Sequence, residues 1–336
     1  MAKLVTKVTD LINLDHKDRK ILYELDKNSR VSASHVAKTT RLSKDVINYR
    51  IKKLLELGVI NKFLTIFDTA KLGYTTYKFF IKLHNTSPQK EKDIITKLVA
   101  HPHTQFVITT QGAYDLIINI LASSPDELNR ILEEINLLCG QHIAQRDMLI
   151  MVKTYFFYRD YFIGKSSDDI RKNIFFGSKP QEIKLDSTDK QIISLLAIDA
   201  RTPIIQIART VHLSSDAVIA RMKKLERAQI ISNYILFPNS ERIGYAFFKL
   251  LFHLNNYTPQ AENELFTYCK HHPNIWWWSK SIGLADLEIN IDVASDEDLK
   301  QIIQEIKERF HDIISDITTI QVTHTYKFNL YPMGAS

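Results

Sequence analysis

Cysteine is almost missing from this chain of 336 residues, occurring only as Cys139 and Cys269. Two thiols at that separation form neither a disulfide framework nor a zinc site, and their scarcity points to a reducing, cytoplasmic compartment. No run of about 18 apolar residues occurs, and the opening "MAKLVTKVTDLINLDHKDRK" has no apolar signal segment, so neither a membrane span nor secretion is expected. Glycine is sparse, at nine residues, and never gathers into a nucleotide-binding loop. No Ser/His/Asp set is visible, and no cofactor or metal is expected. Acidic residues are thin in two places. Residues 1–62 hold 14 Lys/Arg against 7 Asp/Glu, and residues 184–233 hold 8 against 5. Against a whole-chain charge of +6, these segments carry all of the positive excess. That is the distribution expected where two short segments face a polyanion.

What is present is a unit written twice. An offset of 171 pairs Leu14-Asp15 with Leu185-Asp186, Leu42-Ser43 with Leu213-Ser214, and Arg50 with Arg221. It goes on to pair Gly73-Tyr74 with Gly244-Tyr245, Gly112 with Gly283, and Asp115 with Asp286, staying in phase to Tyr155 and Tyr326. A period this long is a duplicated domain set and not a solenoid.

Each unit opens with helices. Ile21, Leu22 and Leu25 form one apolar stripe, and Ser32 caps a short second helix, a role given to Thr202-Pro203 in the second copy with proline as the first helical residue. After a tight turn, Ser43 and Ser214 cap third helices whose inward faces are Ile47, Ile51, Leu54 and Val218, Met222, Leu225. Gln229 stands where the first copy has Gly58, so the second of these helices is expected to end differently. The rest of each unit reads β-α-β-β-α-β. "YKFFIKL" alternates as a half-buried strand, and in "NIWWWSKSIG" Trp276 and Trp278 are expected on one face with Trp277 on the other. The expected fold class is α+β: two winged helix-turn-helix domains (1–62 and 184–233), each followed by a ferredoxin-like domain (63–156 and 234–330), with a connector at 157–183. The aromatic run "TYFFYRDYF" is expected to anchor that connector.

A three-helix unit with a tight turn before a capped third helix places that helix in the DNA major groove. Its outward residues in the first copy are Lys44, Asp45, Asn48, Tyr49 and Lys52. Asparagine pairs with adenine, lysine with guanine or phosphate, and the helix N-terminus favours phosphate. Arg41, Ser43, Lys53 and Lys62 are expected along the backbone. The second copy offers Ser214, Ser215, Lys223 and Lys224, with Ile219 and Ala220 at the positions of Asn48 and Tyr49, so the first copy is expected to dominate specificity.

The stretch from Asp18 to Ile60 resembles the DNA-binding domain of the Lrp/AsnC (feast/famine) transcriptional regulators: Asp-x-x-Ile-Leu, Leu-Ser, Arg-Ile-x-x-Leu and Gly-Val-Ile occur in order. "FDTAKLGY" and Gly112-x-x-Asp115 resemble that family's effector domain. The resemblance implies a DNA-binding regulator of transcription whose ferredoxin-like domains pair, here as an internal pseudo-dimer with further homo-oligomers. It also implies an amino acid or similar effector near Gly112, Tyr114, Asp115, Gly283 and Asp286. A rival class shares the duplicated architecture, the siroheme decarboxylases. Their His-Asn-Tyr type segment followed by basic residues is absent from "HTQFVITTQG" and "NIWWWSKSIG", and the chain is expected not to be an enzyme. The histidines at 101, 103, 271 and 272 are expected in solvated turns. A third class is a protein-interaction adaptor whose helix-turn-helix units no longer read DNA.

Overall fold

The computed structural model describes residues 11–164, 174–177, 183–256 and 258–331. The first repeat runs α1 (His16–Lys27), α2 (Ala33–Thr40), α3 (Lys44–Glu56), β1 (Ile60–Phe67), β2 (Thr75–Leu83), α4 (Pro88–Ala100), β3 (Thr104–Gln111), β4 (Leu116–Ala122), α5 (Pro125–Cys139) and β5 (Ile143–Phe156). A short β6 (Ile174–Phe176) follows in the connector. The second repeat runs α6 (Ser187–Ile198), α7 (Ile204–Thr210), α8 (Ser215–Arg227), β7 (Ile231–Pro238), β8 (Ala246–Leu254), α9 (Pro259–His271), β9 (Ile275–Gly283), β10 (Leu287–Val293), α10 (Asp296–Phe310) and β11 (Ile314–Phe328). The winged helix-turn-helix and ferredoxin-like order expected from the sequence is present in both copies.

The helices start where short polar side chains supply a cap. Asp15, Ser32 and Ser43 accept from the amides of Asp18, His35 and Val46, each satisfying one orphan donor of a first turn. The inward side chains Ile47, Ile51 and Leu54 are buried, each stabilising the head by about 1.5–3 kcal/mol. Two expectations fail. Pro203 is the N-cap of α7 and not its first helical residue, because Thr202 turns inward and donates its hydroxyl to the Asp199 carbonyl. Gln229 ends α8 just as Gly58 ends α3. Both adopt a left-handed backbone, φ 58° and 66°, and in each copy the next amide bonds back to the Leu54 or Leu225 carbonyl. The second copy therefore makes the same turn with strain that glycine would avoid.

The sheet closes on itself. Strand order is β2-β4-β3-β11-β8-β10-β9-β5, and β5 pairs again with β2. β5 and β11 make the closure, because each is long enough to serve both repeats. Residues 143–150 of β5 pair with β2 and residues 149–156 with β9. Likewise 314–322 of β11 pair with β8, and 321–328 with β3. The repeats thus form one ring of eight strands. Helices α4 and α5 cover one half, burying Ile94, Leu98, Ile131 and Ile135. Helices α9 and α10 cover the other, burying Leu265, Ile302 and Ile306. "YKFFIKL" is consequently not half-buried. Tyr77, Phe79 and Ile81 face the helices while Phe80 and Lys78 are sealed inside the ring.

The tryptophans correct a second strand expectation. Pairing of β9 with β10 steps from Asn290↔Trp277 to Ile291↔Ile275, so Trp276 is an extra residue in a β-bulge. The bulge breaks the alternation. Trp276 and Trp277 join the core shared by the repeats, and Trp278 joins the core under α9 and α10. β3 bulges at the equivalent residue, Gln105, between Thr104↔Ile120 and Phe106↔Asn119.

Outside the ring, β1 and β7 pair antiparallel and carry the two heads. Each head leans on the other repeat's strand: the Ser29 amide donates to the Tyr234 carbonyl, and the Thr65 hydroxyl to the Leu196 carbonyl. The start of the connector is anchored as expected. Phe156, Phe157 and Phe162 are buried, and Arg159 pairs with Asp26 of α1 at 2.7 Å while its Nε lies 3.7 Å from Asp292 of β10. Residues 165–173 and 178–182 of the connector lie outside the described residues.

Candidate nucleic-acid interface

The outward face of α3 is open to solvent. Lys44, Asp45, Asn48, Tyr49, Lys52 and Lys53 are all exposed, as are Ser43 and Arg41 before them; Tyr49 retains 64% of its surface. Asn48 is followed by a phenol one residue on and a lysine four on, a donor and acceptor set suited to base edges. Arg41 sits at the C-cap of α2 in a left-handed backbone (φ 56°), turning the chain between α2 and α3. Ser43 uses its hydroxyl on the Val46 amide, leaving the remaining first-turn amides of α3 for an anion. Lys62 does not join this face. It is half-buried on β1, where burial lowers its proton affinity and the charge of Asp199 opposes that.

In α8, Lys223 and Lys224 are exposed, Ser214 caps the helix, and Ser215 is partly covered. Ile219 keeps 37% exposure at the position of Asn48. Lys224 lies 3.5 Å from buried Asp189, so part of its charge is answered within the domain.

A feature that reading the sequence missed holds both helices in place. Arg50 Nη1 donates to Asp15 at 2.8 Å and to Asp18 at 2.7 Å, tying the middle of α3 to the start of α1. Arg221 repeats this with Asp186 and Asp189, both at 2.7 Å. The hydrogen bond from Arg221 holds the Asp186 carboxyl below the usual carboxylate range. The 171-residue register already aligned Arg50 with Arg221 and Asp15 with Asp186. Only the fold shows that they meet, because the spacing from Asp15 to Arg50 carries no local signal.

The loops carrying Gly112 and Gly283 connect β3 to β4 and β9 to β10. Both glycines are exposed and have φ near 120°, 123° and 118°. The Asp115 carboxylate accepts from the Leu83 amide and from Lys82, and Asp286 accepts from the Leu254 amide. Tyr114 is buried and donates to Asp147 at 2.7 Å. The polar groups of these loops are engaged in holding hairpins to neighbouring strands. His101 also departs from expectation. It is buried: Nδ1 accepts from the His103 amide and Nε2 bonds Glu134 at 3.0 Å, so it locks the end of α4. Among the described residues no group of three or more His, Cys, Asp or Glu side chains is placed to hold a metal, and no helix is long and apolar enough to cross a membrane.

The descriptions of two domain families match the heads: winged helix-turn-helix DNA-binding at residues 14–61 and AsnC-type helix-turn-helix domain at residues 185–226. The chain is 34% identical over 127 residues to HTH-type transcriptional regulator FL11 of Pyrococcus furiosus, a match covering 38% of this chain and 83% of that one. It is 26% identical over 144 residues to HTH-type transcriptional regulator LysM of Saccharolobus solfataricus, covering 43% of this chain and 97% of that one. The crystal structure of the siroheme decarboxylase NirDL aligns over 94% of both chains with a TM-score of 0.59 and 14% identity. That likeness establishes the doubled fold alone. Two heads with capped, outward-facing recognition helices and a relative matched over most of its length agree with one another: the chain belongs to the Lrp/AsnC family of helix-turn-helix transcriptional regulators, with the family's unit present twice.

Proposed function

We propose that a single chain presents two unlike reading heads to double-stranded DNA, with Asn48, Tyr49 and Lys52 reading bases and Arg41, Ser43, Lys44, Asp45 and Lys53 fixing register. Ser214, Ser215, Lys223 and Lys224 of the second head supply chiefly backbone contacts. The observation carrying this reading is the exposed, clamped face of α3, matched by a helix of the same build and poorer chemistry in α8. The same reading keeps a small effector of amino-acid size at the Gly112–Asp115 and Gly283–Asp286 loops, supported by the exposure of Gly112, Gly283 and Asp286. Because β5 and β11 already pair the repeats, the unit that meets DNA is one chain, and any further association adds pairs of heads.

Selection of duplexes from a random pool at two salt concentrations tests this. A motif with two unlike halves is expected, and a strict palindrome would instead mean that two chains present α3 symmetrically. On the selected site, Asn48→Ala is expected to cost about 1–3 kcal/mol and to relax one base position. Lys223→Ala is expected to weaken all sequences alike and to reduce the salt slope by about one. Binding that survives Asn48→Ala unchanged would reverse the assignment of the heads.

A further inference from the structure

The second head has lost the hydrogen-bonding side chains that stand at the middle of α3. Val218, Met222 and Leu225 of α8 are buried, and Arg221 is tied to Asp186 and Asp189, so the rotation of this helix about its axis is fixed. That rotation turns Asp216, Ile219, Ala220 and Lys223 outward, all of them exposed. Ile219 and Ala220 stand where the first head has Asn48 and Tyr49. The centre of the second face is therefore hydrocarbon. We propose that Ile219 reads the 5-methyl group of thymine in the major groove, which rests on the DNA reading and names what its second half-site contains. The second head then has a base preference of its own, added to its backbone contacts and made without hydrogen bonds.

The groove itself explains the choice. Its base edges present hydrogen-bond donors and acceptors, and the thymine methyl is the apolar group among them. An isoleucine pressed against guanine N7 and O6, or against the cytosine amino group, strips water from those atoms and returns no hydrogen bond, which weakens binding by about tenfold. Against a thymine methyl the same side chain buries hydrocarbon on hydrocarbon. Ile219 thus selects by penalty as well as by attraction.

Its surroundings suit this role. Isoleucine is stiff at χ1 in a helix, so little rotamer freedom is lost on contact. Ala220 removes the bulk that Tyr49, 64% exposed, projects from the first head, and α8 can lie closer to the groove floor. The Ser214 hydroxyl accepts from the Ala217 amide, which leaves the Ser215 and Asp216 amides for a phosphate on one side of Ile219. Lys223, one turn further on, serves the other side. A protein partner fits this face poorly. The neighbours of Ile219 at i−4, i−3 and i+4 are Ser215, Asp216 and Lys223, so the apolar surface is about one side chain wide, far short of a docking patch.

The duplex recovered by selection is remade with deoxyuridine for thymine, one half-site at a time, and binding of the full chain is followed by fluorescence anisotropy at fixed salt. Deoxyuridine keeps the hydrogen-bonding groups of thymine and lacks only its methyl. Replacement in the second head's half is expected to weaken binding about fourfold for each methyl contacted, the worth of one buried group of that size. Ile219→Ala is expected to bind the thymine and deoxyuridine forms of that half alike, and Ile219→Asn is the second variant with the same expectation. Asn48→Ala should keep the fourfold difference. Both Ile219 variants change a surface side chain and are expected to unfold at the parent's urea midpoint, so their loss is not a loss of fold. Equal binding of the two forms by the parent, or a methyl dependence that survives both Ile219 changes, would overturn the proposal. A chain that selects no duplex fails the DNA reading and this inference with it, whereas one that selects a duplex and ignores its methyls fails this inference alone.

Discussion

Gly112 and Gly283 occupy equivalent places, but the structure gives alanine different consequences at each. Both backbones lie at φ near 120°, where a side chain costs of order 1–3 kcal/mol. At Gly112 the added Cβ meets only the Thr319 carbonyl oxygen at 3.6 Å, an ordinary contact. At Gly283 it falls 2.4 Å from the Met148 carbonyl oxygen and 3.2 Å from Leu149 Cα. That is about 1 Å inside normal contact, and both atoms are backbone of β5, so no side chain can swing aside. β5 must shift away from β9 at Leu149↔Gly283, where the two repeats are joined. Overpacking of this kind adds about 1–3 kcal/mol or more. Gly112→Ala is thus expected to cost about 1–3 kcal/mol and Gly283→Ala about 2–6. With an m-value near 3 kcal/mol per M, a difference of about 2 kcal/mol separates the urea midpoints by about 0.7 M. Hydrogen exchange would place the added loss in β5 and β9. Equal midpoints for the two variants would refute the argument that Gly283 serves the joint between repeats.

Three further outcomes are expected. Gln229→Gly should raise stability by about 1 kcal/mol by relieving the left-handed strain at the end of α8, and an unchanged urea midpoint would deny that strain. Arg50→Ala should leave the midpoint within about 1 kcal/mol, since the pairs are partly exposed, yet lower operator affinity by about tenfold as α3 loses its hold on α1; full affinity by fluorescence anisotropy would remove the clamp from the account. Glu288 supplies a pH signature: burial alone would raise its carboxyl, but Lys249 and Lys78 hold it down to about 2. A depressed folded-state pKa stabilises above the unfolded value, near 4.3, and that contribution is lost as pH falls toward 2. Glu288→Gln should therefore be less stable than the parent by about 3–5 kcal/mol at pH 7, with the gap narrowing below about pH 4.5. A constant gap from pH 6 to 2.5 would contradict the buried pairing.

The heads were legible because their signals are local. A serine three residues before the amide it caps, and apolar residues at i, i+4 and i+7, identify α3 and α8 without knowledge of the rest. The ring was not legible. Lys78 and Lys82, four residues apart on one face of "YKFFIKL", read as a solvated face, and the carboxylate that reverses the reading for Lys78 stands 210 residues further on. Nor does an unbroken run of three tryptophans announce that one is supernumerary, because the bulge exists only in the pairing with Asn290 and Ile291. The αL turn at Gln229 escaped for a related reason: the flanking hydrogen bonds impose it on a residue that would not choose it alone.

Strands β5 and β11 each hydrogen-bond to both repeats, and both heads belong to one polypeptide. Dilution cannot separate them, so a cell with a handful of copies still holds matched halves at fixed stoichiometry. In an assembly of identical chains every amino-acid change is stamped on both sides of the symmetry axis; here Asn48 and Ile219 differ at equivalent positions, and each can be changed without the other.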